Sequence, residues 1–160
     1  MKQRVYFVLL ITLVYSLAYL FAGAIAYQLI TKQFYVGDDA IFTTYLRSEA
    51  NPSEWAHTNT WLFPILLLRA FLLSLILLPF TDTLRKFSFR KRALVLTAFV
   101  FIVAHLAAAA PSPSNLEGFV YMKPELFTLK AFLLTQPEMI TQSLGFGLLA
   151  SWAIHKWYKQ

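Results

Sequence analysis

Four apolar stretches, at about residues 5–30, 60–80, 93–110 and 137–157, divide this chain of 160 residues. Each is close to the roughly 20 residues that a helix needs to cross a bilayer. Backbone in hydrocarbon finds no water, so each stretch has to satisfy its own hydrogen bonds as a helix. The sequence therefore predicts an all-α integral membrane four-helix bundle, a single membrane domain over residues 1–160. Charged residues make up 14% of the chain, against roughly 25% in soluble domains. There is no cysteine, which excludes disulfides, thiolate metal sites and thiol catalysis. The first stretch follows Lys2 and Arg4 and carries small-residue motifs at Ala22-Gly23-Ala24 and Ala24-Ile25-Ala26. It is longer than a signal-peptide core, so it reads as a retained helix.

Charge sets the expected orientation. Lys2, Arg4, Arg85, Lys86, Arg90, Lys91, Arg92, Lys156 and Lys159 flank the spans on one side, opposed only by Asp82, for a net +8. Loops 31–59 and 111–136, extended to Glu138, hold Lys32, Arg47, Lys123 and Lys130. Against these stand Asp38, Asp39, Glu49, Glu54, Glu117, Glu125 and Glu138, for a net −3. Positive loops stay in the cytoplasm. Both termini are thus expected inside a plasma (inner) membrane. The basic cluster is a topology signal and a contact for anionic lipid at the cytoplasmic face, and no nucleic acid partner is expected.

The two outer loops read as short amphipathic helices. Asp38 is placed to cap a helix whose apolar face holds Ile41, Phe42, Tyr45 and Leu46, lying on the membrane surface. Asn51-Pro52-Ser53-Glu54 has the cap, proline and glutamate order of a helix start, so the second helix is expected to begin at Pro52. Pro64 is a candidate kink. Pro111-Ser112-Pro113-Ser114 stops the third helix. Lys123-Pro124-Glu125 predicts a short helix to about Leu134, and Thr135-Gln136-Pro137-Glu138 has capping-box spacing for the fourth span. Trp55, Trp61, Trp152, Trp157 and Tyr158 fall near span ends, as in an interfacial belt.

Lipid gives helices no hydrophobic reason to associate, so small residues are expected at their contacts. Ala18, Ala22 and Ala26 form such a row on the first helix, and Ser143, Gly147 and Ser151 on the fourth. Ala104 and Ala108 do so on the third, and Ala70 and Ser74 on the second. Gly145 and Gly147 lie in an apolar helix and read alike, as aids to close contact.

Polar groups within the spans are the candidate site. Arg69 lies about nine residues into the second span, where a charge costs about 2.5–3.5 kcal/mol and is by default functional. His105 and Gln142 lie about five residues from the outer ends of their spans, at similar depth by helical rise. Gln28 is near the outer end of the first, and Glu138 sits in the first turn of the fourth. Together Arg69, His105, Gln142, Gln28 and Glu138 predict a polar pocket in the outer half of the bundle. Arg69 would take the anionic group of a lipid-like ligand. The competing reading has Arg69 reaching to the outer headgroups, with His105 and Gln142 bonding between helices. A zinc site from His57, Glu54 and a loop glutamate is a weaker candidate, and no metal or cofactor is expected. There is no G-x-S-x-G, H-E-x-x-H or phosphate loop.

The composite expectation is a small non-enzymatic accessory or binding subunit. Its partners would be membrane lipids and either another membrane protein or further copies of itself. One alternative is an intramembrane enzyme with His105, Glu125 or Glu138 as acid or base and Arg69 stabilising charge. Another is a small channel or transporter formed by oligomerisation.

Overall fold

A computed structural model describes residues 2–38 and 40–157. Asp39, Tyr158, Lys159 and the side chain of Trp157, which entered the charge and belt assignments, lie outside the described residues. Those described are helical or irregular, with no strand. The helices are α1 (Lys2–Ala26), α2 (Pro52–Leu77), α3 (Thr81–Lys86), α4 (Phe89–Phe99), α5 (Leu116–Tyr121) and α6 (Leu129–Trp157). Two continuous helical segments, Lys2–Phe34 and Pro52–Lys86, are long and apolar enough to cross a membrane.

α1 and α6 form the centre of the bundle, with α2 against the other side of α1 and α4 against α6. Neighbours run antiparallel: Tyr15 of α1 meets Phe146 of α6 with ring centroids 5.5 Å apart, while Gly23 approaches Glu138. The small-residue rows make these contacts. Ala18, Ala22 and Ala26 are buried, as are Ala70, Ser74, Ser143 and Ser151. Thr12 of α1 donates from Oγ1 to Ser74 Oγ of α2 at 3.4 Å. Only the Ala104–Ala108 row stays half-exposed.

Gly145 and Gly147 prove unequal. A Cβ on Gly145 would sit 3.8 Å from Ala18 Cβ, an ordinary contact. A Cβ on Gly147 would overlap Thr97 Oγ1 and lie 2.6 Å from the Ala93 carbonyl oxygen. At that point the backbones of α4 and α6 approach as closely as only glycine permits.

Several predicted boundaries are corrected. Asp38 does not cap a surface helix; residues Ile41–Thr44 form one 3-10 turn without a side-chain cap. Its Phe42 is buried against Phe34 and Ala131, because a large ring near the bundle gains more by burial than by lying flat at an interface. Beside it Lys32 and Glu49 pair at 2.8 Å. The hydrogen bond from Lys32 holds the Glu49 carboxyl below its ordinary range.

The helix expected from Lys123 to about Leu134 does not start there: residues 123–128 are not helical, residues 129–134 belong to α6, and α5 lies earlier, at Leu116–Tyr121. The fourth helix does not start at Thr135. It begins at Leu129, where Thr128 Oγ1 accepts from the Ala131 amide at 3.1 Å, and runs on through Pro137. Thr135 instead donates to the Ala131 carbonyl at 2.9 Å, a back-bonding role open to threonine inside a helix. The third helix continues from α4 as a π-helical segment, Val100–Leu106, and ends there rather than at residue 110. The expected start of α2 is found: Asn51 accepts from the Ser53 amide at 3.1 Å, with Pro52 next.

Loop 111–136 is held by Asn115, which is 2% exposed. Its side chain donates to the carbonyls of Ala108 and Ala110 and accepts from the amides of Ser112 and Gly118. One amide side chain thus uses its full capacity of two donors and two acceptor lone pairs. Gln136 of α6 ties the same loop down by donating to the Ser114 carbonyl at 3.0 Å.

Candidate functional site

α2 packs on α1 along one narrow stripe, Leu66, Ala70, Ser74 and Leu77. It scarcely touches α4 and its π-helical extension. The space between α2 and that extension is an open groove of about 390 Å³, lined by Tyr15, Ile65, Leu68, Arg69, Leu72, Leu73, Ile76 and Ala104. α1 supplies the floor through Tyr15. The groove wall is almost wholly apolar: Tyr15 and Arg69 line it chiefly through ring and stem, and the Tyr15 hydroxyl is buried.

Arg69 is directed across the groove. Its guanidinium carbon stands 5.8 Å from the Tyr15 ring centre and 5.7 Å from that of Tyr19. Both distances allow cation–π attraction. Nη2 donates to the Ala104 carbonyl at 3.5 Å. That carbonyl lies in the last turn of its helix, where acceptors lack helical partners and carry partial negative charge. Among the described residues Arg69 has no carboxylate within ion-pair distance. A cation held by rings and one carbonyl keeps most of its five donors for an added anion.

His105 follows Ala104 and is 8% exposed, its Nε2 without a protein partner. The Gln142 amide nitrogen and the Tyr15 hydroxyl are likewise buried and unpaired. Glu138 lies against α1 at Gly23, where an added Cβ would be 3.5 Å from its Oε1, and it does not line the groove. Burial and then the Glu138 charge push the Tyr35 phenol up to about 12.

The sequence-predicted site residues therefore do not share one cavity. Arg69 lines the groove. His105 adjoins it through Ala104 but is buried, and Gln142 is buried in the bundle. Gln28 is exposed on the π-helical turn Tyr27–Thr31. Glu125 is exposed on a turn, because the helix expected to carry it does not form. His57 is exposed beside Trp61, and no group of three or more His, Cys, Asp or Glu among the described residues is placed to hold a metal. Tyr15, Tyr19 and the Ala104 carbonyl were missed. The available signal was two tyrosines four residues apart in an apolar span, whose hydroxyls need partners there.

The chain matches no family model, no curated protein and no solved structure.

Proposed function

We propose that this chain is a four-span membrane protein that binds an anionic, lipid-like ligand in the groove between α2 and the π-helical segment, its head group on Arg69. The observation that carries this reading is a lone guanidinium, unpaired with any carboxylate among the described residues, beside an almost wholly apolar open groove. From Arg69 the groove continues along Leu72, Leu73 and Ile76, about two helical turns. That shape suits one acyl chain below one negative head. Small-molecule sites have this character, mostly apolar with few polar groups that fix orientation.

The exterior of the bundle supports insertion of all four long helices. Leu13 and Phe21 of α1, Leu68 and Ile76 of α2, Leu94 and Val103 around α4, and Leu144 and Leu148 of α6 are all exposed. Ser16, Ser74, Ser143, Ser151 and Gln142 are buried. Exposed apolar area on this scale is not stable in water. Trp61 and Trp152, each 52% exposed, suit an interfacial belt. The apolar part of the third helix, residues 93–106, is short for a span, and its π-helical end and the Asn115-centred loop complete its outer end. In the reading we favour, both termini and α3 face the cytoplasm of the plasma membrane. Because the chain lacks cysteine, single Lys86→Cys and Glu117→Cys variants test this directly. A membrane-impermeant maleimide applied to intact cells should label residue 117 and spare residue 86; the reverse pattern sinks the orientation.

The enzymatic alternative needs His105, Arg69 and a loop carboxylate around one cavity, and the groove has Arg69 alone. Binding is therefore the better-supported role. The test uses protein in uncharged detergent, incubated with oleate or oleyl alcohol and examined by native mass spectrometry. Oleate should be retained at least about tenfold better, as expected for charge-assisted hydrogen bonds. Arg69→Gln should remove that preference without changing helicity. Equal retention of acid and alcohol by the unmodified protein would reject the reading.

A further inference from the structure

The bundle holds a second cleft, made of two lobes of about 940 and 470 Å³ that share Asp82 and Arg85 in their walls. Lys86, Arg92 and His155 bound the larger lobe, and Arg4 bounds the smaller. Among the described residues, four cations (Arg4, Arg85, Lys86 and Arg92) thus face one acidic residue. Asp82 pairs with Arg85 at 3.9 Å. Arg92 is 3% exposed and has no carboxylate partner among the described residues. All three of its guanidinium nitrogens donate to carbonyls, those of Leu84, Ser151 and Phe87. Its donors are used, but its charge is not neutralised. A buried uncompensated charge is costly unless an opposite charge lies near. Phe87 and Phe89 add apolar wall beside the cations, which suits a ligand whose phosphate is joined to hydrocarbon.

We propose that this cleft binds a phosphate-bearing lipid head group with at least two negative charges, one held in each lobe. Arg4 and Arg85 face one charge and Lys86 with the Arg92 field faces the other. The inference is independent of the Arg69 groove, which shares no lining residue with either lobe and takes a single charge.

The full chain in uncharged detergent would be incubated separately with a diphosphatidylglycerol, a phosphatidylglycerol and a phosphatidylcholine, and retention read by native mass spectrometry. The diphosphatidyl lipid should be retained at least about tenfold better than the single-phosphate lipid. Each cation removed should cost about fivefold, so Arg4→Gln with Lys86→Gln should cost about twenty-five-fold. Both are surface changes that leave the Arg92 bonds intact, and an unchanged thermal midpoint in the absence of lipid confirms the fold. Inorganic pyrophosphate supplies the other arm. If it displaces the lipid and itself raises the thermal midpoint, the anion site stands and its ligand is soluble. Equal retention of phosphatidylcholine, or retention unaffected by the double variant, overturns the proposal.

Discussion

Replacing Arg92 with methionine is expected to lower the unfolding free energy by about 3 kcal/mol, since three buried or half-buried carbonyls lose a charged donor at once. The bonds are 2.7 Å to Leu84, 3.0 Å to Ser151 and 2.7 Å to Phe87. They join the end of α3, the turn before α4 and the last turns of α6, three pieces of backbone that share no other common partner in the described hydrogen bonds. Methionine keeps much of the apolar stem, so the loss reports the guanidinium and not a cavity. Arg92→Lys should recover only part of it, because one ammonium cannot reproduce the planar fork that reaches three carbonyls. Reversible unfolding in mixed micelles, followed by helicity, measures both. A loss below about 1 kcal/mol for methionine would show that water replaces the guanidinium without penalty. Burial also lowers the proton affinity of Arg92 below its ordinary value. It stays charged at neutral pH, as arginine does in proteins, so no pH dependence of this contact is expected between pH 5 and 9, a range of roughly neutral conditions.

The second large effect is a contrast between two glycines separated by a single residue, Phe146. Gly147→Ala should destabilise by about 2 kcal/mol, the usual scale of overpacking. The new methyl group meets Thr97 Oγ1, and it lies 2.6 Å from the Ala93 carbonyl oxygen and 2.9 Å from the Thr97 amide nitrogen. Two of those three obstacles are backbone, so α4 and α6 have to move apart. Gly145→Ala meets only Ala18 Cβ at 3.8 Å. Alanine is the better helix former by up to about 1 kcal/mol, so this variant should be neutral or slightly more stable. The same unfolding measurement separates them. Equal effects at the two positions would mean that the α4–α6 contact is not as close as described.

How much of this was legible beforehand differs by feature. The start of α2 was readable because Asn51 and Pro52 act through bonds within four residues. The start of α6 was misread because two cap-like sequences compete there. Thr128 takes the role, and Thr135, with the expected spacing to Glu138, is already inside a helix bonded to Ala131. Local signals of equal strength are resolved by what the rest of the chain does with the intervening residues. Here Ala131 is buried against Phe34 and Phe42, which favours helix from Leu129 onward. The basic cluster around residues 85–92 was legible as a cluster, yet nothing local distinguishes Arg92 from Arg90. Arg92 faces inward to the carbonyls of Leu84, Phe87 and Ser151 while Arg90 is exposed, and that depends on helix rotation.

The sequence by itself determined that the chain is helical, where its small residues lie in rows, and that Arg69 is an isolated charge in an apolar segment. These follow from composition and period, which act within a few turns. Only the tertiary structure decided which polar groups share a space. It set Arg69 against Tyr15, Tyr19 and the Ala104 carbonyl, and it left Gln28, Glu125 and Glu138 elsewhere. The physical reason is that a side chain's neighbours across a bundle depend on rotation about each helix axis and on where each helix ends. Close contacts such as Gly147 on Ala93, and carbonyls freed at the end of the π-helical segment, fix both.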